Sequence, residues 1–348
     1  MKKLNLIYCL SLFIIGLVVT ASCTKEGPAG KDGLDGEKGI DGNDGTATCI
    51  QCHDNSQTIF SKSIQWEAST HATGGNFDRN GTDCAPCHTS QGFLERMDAG
   101  TMTTAAAISN PNPVNCYTCH EIHQTFTPAD WALTHTDAVD FWHTAGSNAS
   151  SDFGSGNLCA NCHQARIATP FPELGSTEVY SVTNFRYGPH YSPAGNMIGG
   201  LGGYEVAGNV PYTNSPHSNV ENGCVTCHMG EAIGVASGGH QMKWNTNGCI
   251  KCHPSGIQAE LDILQAEFAG YMTTLNALLS DKGIITEDGY LMGNDGINRA
   301  SANNPANLTA NELGAFYNYK FVYYDHSGGV HNYKYARALL LNTIDAIQ

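Results

Sequence analysis

Charge is scarce in this 348-residue chain. Asp, Glu, Lys and Arg make up only 14% of it, and 32 acidic residues against 17 basic ones give a formal net charge of −15. No basic patch stands out, which argues against nucleic acid as a partner. An acidic surface suits solubility and cationic or basic partners but names none. Apolar side chains are thin as well. Leu, Ile and Val are sparse up to residue 256, where Gly, Asn, Ser, Thr and Pro take their place. Such a stretch buries little apolar surface of its own. Spare cysteine is also lacking: of 14 cysteines, only Cys9 and Cys23 lie outside a short repeated motif.

That motif is Cys-x-x-Cys-His, and it occurs six times. The copies are Cys49, Cys52 and His53; Cys84, Cys87 and His88; Cys116, Cys119 and His120; Cys159, Cys162 and His163; Cys224, Cys227 and His228; Cys249, Cys252 and His253. Each is the attachment signature of a c-type haem. Two thiols three positions apart can add across the two vinyl groups of one porphyrin, and the following histidine then reaches the iron. Zinc is the competing reading, since paired Cys-x-x-Cys units also form zinc ribbons, with a second pair about 15–20 residues on. The gaps here are longer and uneven except between Cys224 and Cys249, and zinc gives no reason for a histidine after every second cysteine. A thioredoxin-like redox motif would sit in a βαβ pattern, which the sequence does not display. Six covalently bound haem c groups are therefore expected.

The N-terminus reads as an export signal: Met1-Lys2-Lys3 is a positive start and Leu4 to Thr20 is mostly apolar. A membrane-spanning anchor is the alternative. Thr20-Ala21-Ser22-Cys23 resembles a bacterial lipoprotein signal, with Cys23 as the lipidated first residue of the mature chain, although Thr20 departs from the usual aliphatic residue. In that case no cysteine remains for a disulfide, even in an oxidising compartment. Glycine then recurs every third residue from Gly27 to Gly45, a collagen-like repeat. The run is short and Pro28 is its one proline, so a hydrophilic tether is favoured over a trimeric stalk. Extended at about 3.1 Å per residue, it would reach roughly 70 Å.

The expected fold is mainly α with much irregular loop. Residues 1–22 form the signal peptide and 23–46 the lipidated cysteine and tether. Residues 47–256 form a hexahaem cytochrome c domain with porphyrins as its core, and 257–348 a C-terminal helical region. In that last part Ile257 to Leu279 carries Leu261, Leu264, Phe268, Met272, Leu275 and Leu279 at three- and four-residue steps, an amphipathic helix. Leu308 to Tyr324, capped by Thr309 or Asn311, and Tyr333 to Ile347 read as two more helices. Asp281 to Asn307 reads as an irregular loop. The helical region is expected to act as a buttress and as a surface for homo-oligomer formation.

Six irons also need upper ligands, and nine histidines lie outside the motifs. Six of them match the irons by context. His71 ends a helix predicted over Ile59 to Thr70. His123 follows His120 so closely that it must serve a different haem. His190 follows Gly188-Pro189, His217 follows Ser215-Pro216, and His240 follows Gly238-Gly239. His331 stands before the last helix. His135, His143 and His326 are spares, and Met229 or Met242 could ligate instead, raising the potential.

The Cys116–His123 run, the stretch Asn157-Leu158-Cys159-Ala160-Asn161-Cys162-His163-Gln164-Ala165-Arg166, the Cys224–Met229 run and the Gly329-Val330-His331-Asn332 sequence before a helix resemble a broad group of multihaem c-type cytochromes. That group includes pentahaem nitrite reductase and octahaem hydroxylamine oxidoreductase. The resemblance implies close haem stacking and a ligand role for His331. It is patchy outside the haem motifs, and the Cys-x-x-Cys-Lys of a nitrite-reducing haem is not found. Two functions stay open. The favoured one is electron transfer through mainly bis-histidine haems, in the periplasm or at the cell surface, to redox partner proteins or an extracellular acceptor, with the lipid anchor holding the protein to a membrane. The other is a reductase of a small nitrogen compound or oxyanion, with one open iron and Arg166, Arg186, Tyr187 or a spare histidine as proton donor.

Overall fold

A computed structural model describes residues 53, 57–145, 150–253 and 256–348. The signal peptide, Cys23, the tether, Cys49 and Cys52 lie outside the described residues. Residues 46–348 form one compact unit.

The motif-bearing part is built from short pieces. Helix α1 (Gln57–Glu67) is followed by single turns α2 (Ala85–His88), α4 (Cys116–Cys119), α5 (Asn157–Ala160), α7 (Cys224–His228) and α8 (Thr246–Cys249) at five of the motifs. Between these lie α3 (Ser90–Ala99) and α6 (Ala194–Gly199). The helix predicted up to Thr70 ends earlier, at Glu67. Ser69 is extended, and His71 sits in a separate 3₁₀ turn, Thr70–Thr73. Two strands, β1 (Val139–Asp140) and β2 (Ser150–Ser151), form a small antiparallel pair. Apolar packing is slight: one cluster of Val139, Phe141, Phe153, Ala160 and Ile198.

The C-terminal part differs. Helices α9 (Ile257–Asp281), α10 (Ala310–Asp325) and α11 (Tyr333–Ile347) pack on one another. Leu261, Phe268, Leu275 and Leu279 form the buried stripe of α9, as helical periodicity requires. Helix α10 opens with a capping box. The Thr309 hydroxyl takes the Glu312 amide, and the Glu312 carboxylate takes the Thr309 amide. The stretch expected to be an irregular loop ends as a strand. β3 (Val179–Val182) pairs antiparallel with β4 (Ala306–Thr309), Val179 opposite Thr309 and Val182 opposite Ala306. The large apolar core draws on α9, α10 and α11 and also on Ala165, Val182, Tyr187, Met197, Tyr204 and Val206. The helical region thus shares its core with the stretch after the fourth motif.

Candidate haem-binding sites

Each of the five motifs among the described residues carries a single helical turn. The histidine amide donates to the carbonyl of the first cysteine at 2.9–3.1 Å in the motifs ending at His88, His120, His163 and His253, and the His228 motif is itself helical. A turn sets residues three apart on one face, so both thiols point the same way. None of the ten described cysteines is in a disulfide. Among the described residues no group of three or more His, Cys, Asp or Glu converges as a metal cage would require. The zinc reading therefore finds no four-ligand site among the described residues.

The histidines pair. His53 faces His123, His71 faces His163, His88 faces His190, His120 faces His240, His217 faces His253 and His228 faces His331. The ring centres are 6.1 to 6.4 Å apart in all six. Other ring contacts in the protein scatter from 4.5 to 6.5 Å. A metal–imidazole bond is about 2 Å. With the ring centre about 1 Å beyond its nitrogen, two rings on opposite sides of one ion stand about 6 Å apart. The interplanar angles vary from 25° to 86°, as they can when two rings share only an axis. The residues therefore fit a haem iron at each pair, which the motif histidine and the distal one would hold. His135, His143 and His326 face no motif ring.

Hydrogen bonds fix which ring nitrogen is free. The Nδ1–H groups of His120, His217 and His228 donate to the carbonyls of Trp131, Val330 and Met242 at 2.8, 2.6 and 3.0 Å. A donor at Nδ1 leaves Nε2 as the lone-pair nitrogen that can ligate a metal. Nδ1 of His163 meets the Ser192 hydroxyl at 2.8 Å, that of His123 the Tyr117 hydroxyl at 3.1 Å, and that of His71 the Met242 sulfur at 2.9 Å. Burial pushes His163, His190 and His240 down to about 4, so each is the neutral imidazole that ligation needs. His331 differs. Burial works against its charge, but the Asp325 carboxylate, 2.6 Å from Nδ1, raises it above the ordinary value.

Local anchors hold the distal histidines. His123 and His190 have φ of 62° and 70°, a left-handed conformation that costs a non-glycine residue about 1–3 kcal/mol and clusters at functional sites. The amide of His240 donates to Gln65 on α1 at 3.0 Å, so α1 orients a ligand candidate far along the chain. The Asn332 side chain, fully buried, accepts from the Ser215 amide at 2.9 Å and ties the His217 loop to the turn that carries His331. Arg96, stacked over Trp142 at 4.9 Å, donates to the Asn161 carbonyl inside the fourth motif.

Neighbouring pairs interlock. The Cys87 and Cys162 thiols are within hydrogen-bond reach, as are those of Cys159 and Cys224. Met242 holds His228 through its carbonyl and His71 through its sulfur, and stands two residues from His240. Ser192, which meets His163, stands two residues from His190, and Val330, which meets His217, precedes His331. Sequence gave no signal for Met242, Ser192 and Asp325 in these supporting places.

Of the proton-donor candidates, Tyr187, Arg186 and Arg166 each engage a different group. The Tyr187 hydroxyl is spent on the Pro170 carbonyl at 2.6 Å, Arg186 stacks on Phe185, and Arg166 donates to the Asp83 carbonyl at 2.7 Å.

No family model matches the chain. It is similar to the C-type polyheme cytochrome OmcB of Geobacter sulfurreducens, 22% identical over 356 residues, covering 84% of this chain and 46% of that protein. It is also similar to the C-type polyheme cytochrome OmcC of the same species, 21% identical over 362 residues, covering 86% of this chain and 42% of that one. Among solved structures it resembles the outer cell wall cytochrome OcwA, with a TM-score of 0.52 at 21% identity, covering 82% of this chain and 50% of that chain. The chain thus has the fold of a multihaem cytochrome and spans about half the length of these relatives.

Proposed function

We propose that this chain is an exported c-type cytochrome that carries electrons through six covalent haems, each ligated by two histidines. The observation that carries this reading is the set of six ring pairs at one spacing. An iron with two histidines keeps its ligands when it changes redox state. It reorganises little and binds no substrate, which suits transfer. A reductase would need one iron with an open face. Each of the six pairs would supply both axial ligands, and Tyr187, Arg186 and Arg166 are engaged with other groups, so the geometry favours transfer.

The interlocking contacts suggest a branched path. The centre of His163 and His71 touches three others, those of His88, His120 and His228, through the cysteine contacts and through Ser192 and Met242. Beyond them lie the His53 centre, joined through His120 and His123, and the His253 centre, joined through Val330. Three ends give room for a donor, an acceptor and a further partner, proteins or an extracellular acceptor. Cys23 would hold the molecule to a membrane by its lipid, and Cys23→Ala is expected to release it with its haem spectrum unchanged.

The central test is a haem count by mass spectrometry with magnetic resonance. Six haems, all low-spin, are expected. His71→Ala should make one haem high-spin with its thioether bonds kept, while His135→Ala changes nothing. Fewer than six haems after full maturation, or a high-spin haem in the unaltered protein, would overturn the reading.

A further inference from the structure

We infer that Asp325 is a positioning residue that makes the centre of His228 and His331 the most reducing of the six. The inference rests on the bis-histidine reading above. Among the described residues, Asp325 is the one carboxylate within hydrogen-bond distance of a paired imidazole, 2.6 Å from His331 Nδ1. The other six Nδ1 bonds go to neutral groups: three carbonyls, two hydroxyls and a thioether. Glu260 approaches His253 only to 4.0 Å and is two-thirds exposed, so water screens it.

Asp325 is held for this task. Its side chain is 2% exposed. Its second oxygen accepts from the Ser327 hydroxyl, which leaves the first aimed at His331. It is also the last residue of α10, where the negative end of the helix dipole disfavours a carboxylate. Helix stability therefore does not explain an acid here, and a buried charge is costly unless it is paired. The partner is His331.

The chemistry has one sign. A carboxylate accepting from Nδ1–H makes the imidazole a stronger donor through Nε2. A stronger donor stabilises the ferric ion more than the ferrous ion. The buried negative charge acts in the same direction across the ring, and its field reaches His228 as well. Both effects lower the potential of this centre below those with neutral partners. Placed between the His163 and His253 centres, it is a step uphill for an electron moving either way. It gates the branch that ends at His253.

The test is a spectroelectrochemical titration of the mature holoprotein and of Asp325→Asn. In the unaltered protein one haem is expected to titrate below the other five. In Asp325→Asn that haem should move to higher potential with all six haems attached and low-spin, and Glu260→Gln should move none. A low-potential haem that Asp325→Asn leaves in place overturns the inference. If Asp325→Asn does not mature, the unaltered protein still decides, since six haems without a separate low-potential component overturn it. His331→Ala separates this failure from failure of the ligand reading. A high-spin haem there with no shift in Asp325→Asn rejects only the role of Asp325. No high-spin haem rejects His331 as a ligand.

Discussion

The two parts of this chain are held together by different means. Helices α9 to α11, with the stretch around residues 165–212, close an apolar cluster of 28 buried residues. The motif-bearing part closes one of five, and many of its buried side chains are Asn, Ser, Thr and Arg tied by hydrogen bonds, such as Asn157, Ser90, Thr118 and Arg96. A hydrogen bond contributes only about 1 kcal/mol net. Apolar burial contributes about 25 cal/mol per Å². The first part can stabilise itself. The second needs what its histidines and thiols bind.

The largest expected effect follows from removing that contribution. A chain made without haem attachment should lose ordered structure in 57–145 and 213–253 and keep protected amides in α9, α10 and α11. Hydrogen exchange with mass spectrometry reads this segment by segment. Equal protection in both parts would mean that the polypeptide alone holds the motif region, and the comparison would fail.

Next comes the apolar core itself. Phe316, fully buried in α10, should cost about 3–5 kcal/mol when changed to Ala. Urea unfolding of the holoprotein followed by far-ultraviolet circular dichroism would measure it. The haem count should stay unchanged in the folded protein. A smaller change is expected at Gly314. A Cβ there would run into the Tyr204 ring, which the backbone of α10 approaches directly. Gly314→Ala should cost about 1–3 kcal/mol, the usual range for overpacking. A loss below this in the same unfolding assay would mean that Tyr204 can move aside.

What the sequence disclosed divides along the same line. Helix α9 was legible because Leu261, Phe268, Leu275 and Leu279 repeat at helical steps along one buried stripe. Helix α10 has no such stripe. Phe316, Asn318, Lys320 and Val322 are all buried on its successive faces, so a cap candidate, Thr309 or Asn311, was the local mark of its start, and the structure puts Thr309 there. The pairing of β3 with β4 joins segments far apart in sequence, and nothing local encodes that register. In the motif region the Cys-x-x-Cys-His repeat marked where five helical turns of the described residues fall. The set of six histidines that face the motif rings could be picked by context, but not which faces which. His71 meets His163 and His123 meets His53 across long stretches of chain. Asp325 was hidden for a related reason: an acid at a helix end reads as solvated until His331 is seen beside it.

The smallest effect sharpens the comparison from the stabilising side. Gly270 lies in the interior of α9, exposed, with no atom within 4 Å of where a Cβ would stand. It is not among the positive-φ glycines, so the helix does not require glycine there. Replacing it with Ala removes freedom from the unfolded chain and should stabilise the helix by about 1 kcal/mol. The gain should appear as higher urea resistance of the C-terminal helices alone. Haem potentials should stay where they are, since α9 presents Gly270 to solvent and not to any paired histidine. A shift in the potentials would mean that the self-standing core and the haem-dependent part are mechanically coupled through α9, and the division drawn above would have to be given up.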